Sequence, residues 1–178
     1  LTTALSEVES ALQDPETKDN PETHLLKGKI QTKIFDTAAE NEMSTVELGK
    51  DTYAVFSKTM EMVNNDKDSK IGKEVYKDDF AGMPENLRPY GLETLKNSIF
   101  QKAIDTYEED NLEMAYEYFA LASDISPTDS TMNFNAGYLA FQLDKTDEAK
   151  VFLNRLLELE DYDKLNAYYF LIQIASGA

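Results

Sequence analysis

The strongest constraint in this sequence is a spacing that recurs. Between Ile99 and Pro127, the residues Ala115, Phe119 and Ala122 lie at helical intervals ahead of a closing proline, with Ala103 and Tyr107 one helix earlier. A step of 34 residues from Ala103, Tyr107, Ala115 and Phe119 lands on Gly137, Phe141, Ala149 and Leu153. A fixed period of that length marks helical hairpins, each too small to bury its own apolar face, stacked so that neighbours bury it jointly. It predicts an all-α chain with no sheet in its latter half.

Charge and residue usage narrow what such a chain can do. A formal net charge of −17 argues against DNA or RNA, because phosphates need clustered cations and no run of Lys or Arg supplies them. The absence of cysteine removes disulfides, thiolate nucleophiles and Cys-based zinc sites. No apolar run approaches the roughly 20 residues that span a bilayer, so membrane insertion is not expected. Leu1 falls inside what reads as helix, which fits either a cytoplasmic protein or one whose leader has been removed.

Along the chain the apolar spacing marks out one helical domain over 1–178. Residues 2–13 align Leu5, Val8, Ala11 and Leu12, as in the second helix of a partial repeat. Over 21–63 a degenerate hairpin is expected: Asn20 caps a helix with Pro21 in its first position, and Ser44 with Glu47 forms a capping box for the second. Residues 64–95 read as an insertion, with a short helix near 68–79 and a long helix opening at Pro84 and running through Tyr107. Repeats follow over 96–129 and 130–163, with Asp110 and Glu113, then Asp129 or Ser130, then Thr146 as helix starts. Residues 164–178 read as the first helix of a partial or capping repeat.

This pattern resembles the tetratricopeptide repeat, and the split arrangement is similar to exported bacterial members of that family. Two gap-free copies over 96–163 carry the resemblance, and the segment Thr23–Gly28, with His24 in place of an aromatic residue, is similar to the family's opening motif. The aromatic residue expected early in each first helix is replaced by Ile99 and Asn133, with Phe100 and Phe134 adjacent. The resemblance implies a right-handed α-solenoid with a helical insertion between the first and second clear repeats. It also implies an exported or periplasmic location, with a cytoplasmic one as the alternative, and a concave groove lined by first helices.

On that groove the same step aligns Phe100, Phe134 and Tyr168, then Ile104, Tyr138 and Ile172, then Tyr107 and Phe141, with Gln101, Asn135 and Tyr169 alongside. The earlier hairpin contributes Leu25, Lys29, Thr32 and Lys33, which makes that end mildly basic. Asn135 matches a carboxylate-clamping position of the family, but the Lys and Arg of that clamp are missing, so an apolar, aromatic or basic protein segment is the expected partner. The competing reading is that aromatic residues at helical spacing are core.

Nothing in the sequence arranges a nucleophile beside a base, so no catalysis and no cofactor are expected. His24 is the single histidine and lies at a packing position. Acid pairs such as Asp78 and Asp79 or Glu108 and Glu109 read as solvated helix ends. The stretch from Asp66 lacks the glycine and glutamate of a calcium loop, having Ile71 and Lys77 at those places. The sequence thus predicts a non-catalytic protein-interaction scaffold. The alternative is a structural element that self-associates through residues 163–176.

Overall fold

The computed structural model describes residues 1–80 and 82–177. Among these residues it is all-α, with nine α-helices, one 3-10 turn and no strand. The chain folds as two compact units, Leu1–Ser98 and Ile99–Ala178.

The first unit contains α1 (Thr2–Ala11), α2 (Pro21–Thr37), α3 (Met43–Glu61) and α4 (Lys70–Val75). Helix α2 starts as its sequence predicts: the Asn20 side chain accepts a hydrogen bond from the Glu22 N–H at 2.9 Å, and Pro21 fills the first position. Helices α2 and α3 pair with Phe35, Val46 and Phe56 fully buried. Gly28 permits the close approach, since a Cβ there would stand 2.7 Å from the Phe56 ring. The expected Ser44–Glu47 capping box does not form. Helix α3 already begins at Met43, so Ser44 lies inside its first turn and donates to the Glu42 carboxylate at 3.2 Å.

The long helix expected from Pro84 also does not form. Glu85–Leu87 make a 3-10 turn, Arg88 is extended (φ −62°, ψ 134°), and α5 runs only from Leu92 to Glu108. Pro89 is the cause: it has no N–H to donate and its ring excludes the helical conformation from the preceding residue. The extended segment is held by Arg88, whose guanidinium donates to Asp36 at 2.6 Å and to Asp79 at 2.8 Å. The Ser98 hydroxyl donates to the other Asp36 oxygen, and the Asn97 amide donates to the Asp79 carbonyl at 3.1 Å. Asp79, whose side chain is only 2% exposed, is therefore buried with its countercharge.

The second unit holds the end of α5 and then α6 (Leu112–Ile125), α7 (Ser130–Gln142), α8 (Thr146–Glu158) and α9 (Leu165–Ser176). Here α6 packs on α7, α7 on α8, and α9 on both α8 and α7. Ala103, Ala115, Ala122, Ala149, Leu153 and Leu156 are fully buried and Phe119 nearly so. Gly137 lets α8 approach α7, with Leu153 3.1 Å from where a Cβ would be. Asn133, at 0% exposure, satisfies itself on the Ser123 hydroxyl and the carbonyls of Pro127 and Asp129.

Asp129 caps α7 through the N–H groups of Thr131 and Met132. Two other expected caps are displaced. Asn111, not Asp110, accepts from the Met114 N–H, and α8 follows Lys145 with no side-chain cap, leaving Thr146 as its first helical residue. Asp110 and Asp144 instead take the left-handed conformation (φ 61° and 56°) that ends α5 and α7. In both turns the following N–H closes on the carbonyl five residues back, Asn111 on Thr106 at 2.9 Å and Lys145 on Ala140 at 2.8 Å.

Candidate functional site: an aromatic surface on two helices without charge

Helices α7 and α9 contain no Asp, Glu, Lys or Arg, although 29% of the chain is charged. The neighbouring α6 and α8 carry Glu113, Glu117, Asp147 and Glu148 among others. Burial accounts for part of this in α7, where Met132, Asn133, Ala136, Gly137, Leu139 and Ala140 are buried. It does not account for α9, in which Ala167 is the one buried residue among those described.

The rings of the two helices meet. Phe134, Tyr138 and Phe141 share a face of α7 by their spacing of four and three residues, and all three are half-buried. Phe134 and Tyr138 lie parallel, 6.2 Å apart with a 2° interplanar angle. Phe170 of α9 touches them all, its centroid 6.2 Å from Phe134, 5.6 Å from Tyr138 and 5.2 Å from Phe141. Tyr169 abuts Phe170 edge-on at 5.3 Å. The Gln142 amide donates to the Tyr138 hydroxyl at 2.7 Å, so that polar tip is satisfied at the edge of the cluster. An open cleft of about 270 Å³ adjoins Phe134, lined also by Ser130, Thr131, Asn135, Tyr162 and Asn166.

The structure brings Phe134, Asn135, Tyr138, Phe141 and Tyr169 into this one region, and Tyr168 lies next to them, 52% exposed. On α5, Phe100 is half-buried edge-on against Phe119 (5.9 Å, 71°), so this ring is partly core. Gln101 is exposed and donates to Asp105 at 2.7 Å, Ile104 is half-buried, and Tyr107 is 45% exposed.

In the first unit the sequence-predicted residues are less accessible. Leu25 is buried and Thr32 fully so. Lys29 is ion-paired with Glu74, whose carboxyl is held below its ordinary range chiefly by that hydrogen bond. Lys33 pairs with Glu85 at 3.0 Å and lies over the Tyr90 ring, and its ammonium is held above its ordinary range by the Glu85 contact first. The mildly basic character expected of these positions is therefore neutralised by residues of the 64–95 segment.

Phe170 is the residue the sequence reading passed over. A step of 34 residues back from it lands on Ala136 and then on Lys102, so nothing aromatic marks the register. The available signal was local: Phe170 lies three residues after Ala167 and four before Ile174, on the stripe of α9 that turns inward.

Other chemistry is sparse. Among the described residues no group of three or more His, Asp or Glu side chains could hold a metal ion, and no helix is long and apolar enough to cross a membrane. His24 is half-buried with Nε2 2.9 Å from the Lys18 carbonyl, a geometry in which that nitrogen carries the proton and donates. No protein-family model, curated protein or solved structure matches the chain.

Proposed function

We propose that this chain is a tetratricopeptide-type α-solenoid serving as a non-catalytic scaffold, and that it holds a neutral apolar or aromatic segment of a protein partner on the rings of α7 and α9. The repeat reading is supported by positions that keep their environment across the 34-residue step. Ile99, Asn133 and Ala167 are all at 0% exposure, and so are Ala115 with Ala149. Asp110 and Asp144, also one step apart, adopt the same left-handed turn. Different side chains at equivalent places are thus doing equivalent structural jobs, as repeats require.

The binding reading is carried by one observation, the half-exposed aromatic cluster on two helices that lack any charge in a chain of net charge −17. Aromatic rings supply large contact area for little lost side-chain freedom, and neutral surroundings spare a partner from desolvating charges. A strongly acidic segment would meet the field of the remaining surface and be disfavoured.

The test uses synthetic helical peptides with Phe and Leu at i, i+3, i+4 and i+7, made in neutral and in acidic versions, and follows the amide signals of α7 and α9 by NMR. The neutral peptide should shift signals around Phe134 and Phe170 with a dissociation constant of micromolar order, and the acidic one should bind at least ten-fold more weakly. The double substitution Phe134→Ala and Tyr138→Ala should weaken the neutral peptide about ten-fold, the loss of about 1.4 kcal/mol, with helicity intact. Equal binding by the variant would remove the rings from the interface.

A further inference from the structure

Helix α9 is apolar on two faces. One face carries Ala167, Phe170, Leu171 and Ile174 inward. The other carries Leu165, Tyr168, Tyr169 and Ile172 at i, i+3, i+4 and i+7, exposed by 71%, 52%, 56% and 63%. Asn166 and Gln173 form a polar seam between the two faces, and an apolar stripe of this kind is normally covered, because held in water it forgoes the main favourable term of association. The spacing of this outer stripe is that of a helix which packs on another helix.

We infer that a second copy of this chain covers the stripe, α9 lying antiparallel to α9 of the other copy about a two-fold axis between Tyr168 and Tyr169. Three features select that occupant. First, residues 165–178 carry no charged side chain in a molecule of net charge −17, so this is a surface where two copies can meet without opposing carboxylates. A neutral stripe is also its own complement under a two-fold axis.

Second, the four side chains expose roughly 500 Å² per copy, and about 1,000 Å² for a facing pair reaches the lower limit of specific interfaces. Third, Lys164 stands at the N-terminal end of α9, where a helix dipole disfavours a cation. An antiparallel pair places it against the last-turn carbonyls of the other helix, where a cation is favoured.

The expected dimer is weak and strengthens with salt, since added ions screen the repulsion between two acidic bodies while leaving the apolar contact in place. Sedimentation equilibrium of the full chain, from about 1 to 200 µM, should show a monomer–dimer equilibrium with a dissociation constant of order 10 µM, at least five-fold tighter in 0.5 M than in 0.05 M NaCl. Ile172→Lys, at an exposed position that the fold tolerates, should weaken it at least ten-fold with unchanged helicity. The chain has no cysteine, so Tyr169→Cys treated with diamide, which takes up the two electrons and two protons of the thiol pair, should form a disulfide-linked dimer while Asp147→Cys, on α8, should not.

Ile172→Lys should leave binding of the neutral peptide around Phe134 unchanged, which separates this contact from the proposed partner surface, because Ile172 lies on the outer stripe while Phe134 and Tyr138 meet Phe170 on the inner face. A monomer at every concentration and salt overturns the inference, and so does a dimer indifferent to Ile172→Lys. Binding of the monomer to phosphatidylcholine vesicles through the same stripe also overturns it.

Discussion

Phe170→Ala should loosen α9 selectively, and the structure sets the size of the effect. Phe170, itself half-buried, joins α9 to α7 through Phe134, Tyr138 and Phe141, while the one buried residue described in α9 is an alanine, Ala167. Truncating a wholly buried phenylalanine costs about 3–5 kcal/mol, and half-burial reduces that to about 2 kcal/mol. Lost ring–ring geometry adds about 0.5–1.5 kcal/mol, so the total is about 2–3 kcal/mol. Because Leu171 and Ile174, the other large side chains turned inward, are themselves only half-buried, most of that loss should appear as local opening, roughly 30- to 100-fold more frequent than in the parent.

Hydrogen exchange followed by mass spectrometry reads this directly. Amides of 168–174 should lose protection by that factor, amides of α2 should keep theirs, and Phe170→Leu should recover part of the loss. Unchanged protection across α9, or an equal loss in α2, would refute the assignment of Phe170 as the fastener.

The glycines at the two helix pairs should respond differently to alanine. At Gly28 the new Cβ stands 2.7 Å from the buried Phe56 ring, so overpacking should exceed the roughly 1 kcal/mol gained in helix propensity and leave a net loss of about 1 kcal/mol. At Gly137 the nearest atoms are the end of Leu153 at 3.1 Å, so urea unfolding followed by circular dichroism should place that variant within about 0.5 kcal/mol of the parent. A Gly28→Ala chain as stable as the parent contradicts the argument. Separately, burial, aided by Glu148 and Glu117, pushes the Tyr116 hydroxyl up to about 12. The native state therefore holds this proton more tightly than the unfolded chain, whose tyrosines ionise near pH 10, so its contribution is fully present below about pH 10 and lost as pH rises through 12. Absorbance at 295 nm should show one late-ionising tyrosine disappear in Tyr116→Phe; a parent titration identical to that variant's above pH 11 would contradict it.

Much of the helical framework was legible because its signals are local. Asn20 with Pro21 and Asp129 with its two N–H partners start helices from chemistry contained within four residues. The buried set Ala103, Ala115, Phe119, Ala149 and Leu153 coincides with positions picked out by spacing alone. Where local signals compete, the stronger one decides. Pro89 overrode the apolar pattern that suggested a longer α5, and Asp110 went to a left-handed turn position, which Asp tolerates, leaving the cap to Asn111.

The candidate site was legible in part and for a related reason. Step and spacing placed Phe134, Tyr138 and Phe141 on one face of one helix, because side-chain direction along a helix follows from residue number. They could not show that Phe170 would be the ring that meets them, nor that Lys29 and Lys33 would be taken up by Glu74 and Glu85 from a segment some fifty residues away in sequence. The sequence by itself determined that this chain is helical, where α2 and α7 begin, and which side chains share a stripe. Which stripe meets which neighbour, and so which rings and charges are left facing solvent, was decided only by tertiary packing, because contact between distant segments depends on how their connections turn and no periodicity records that.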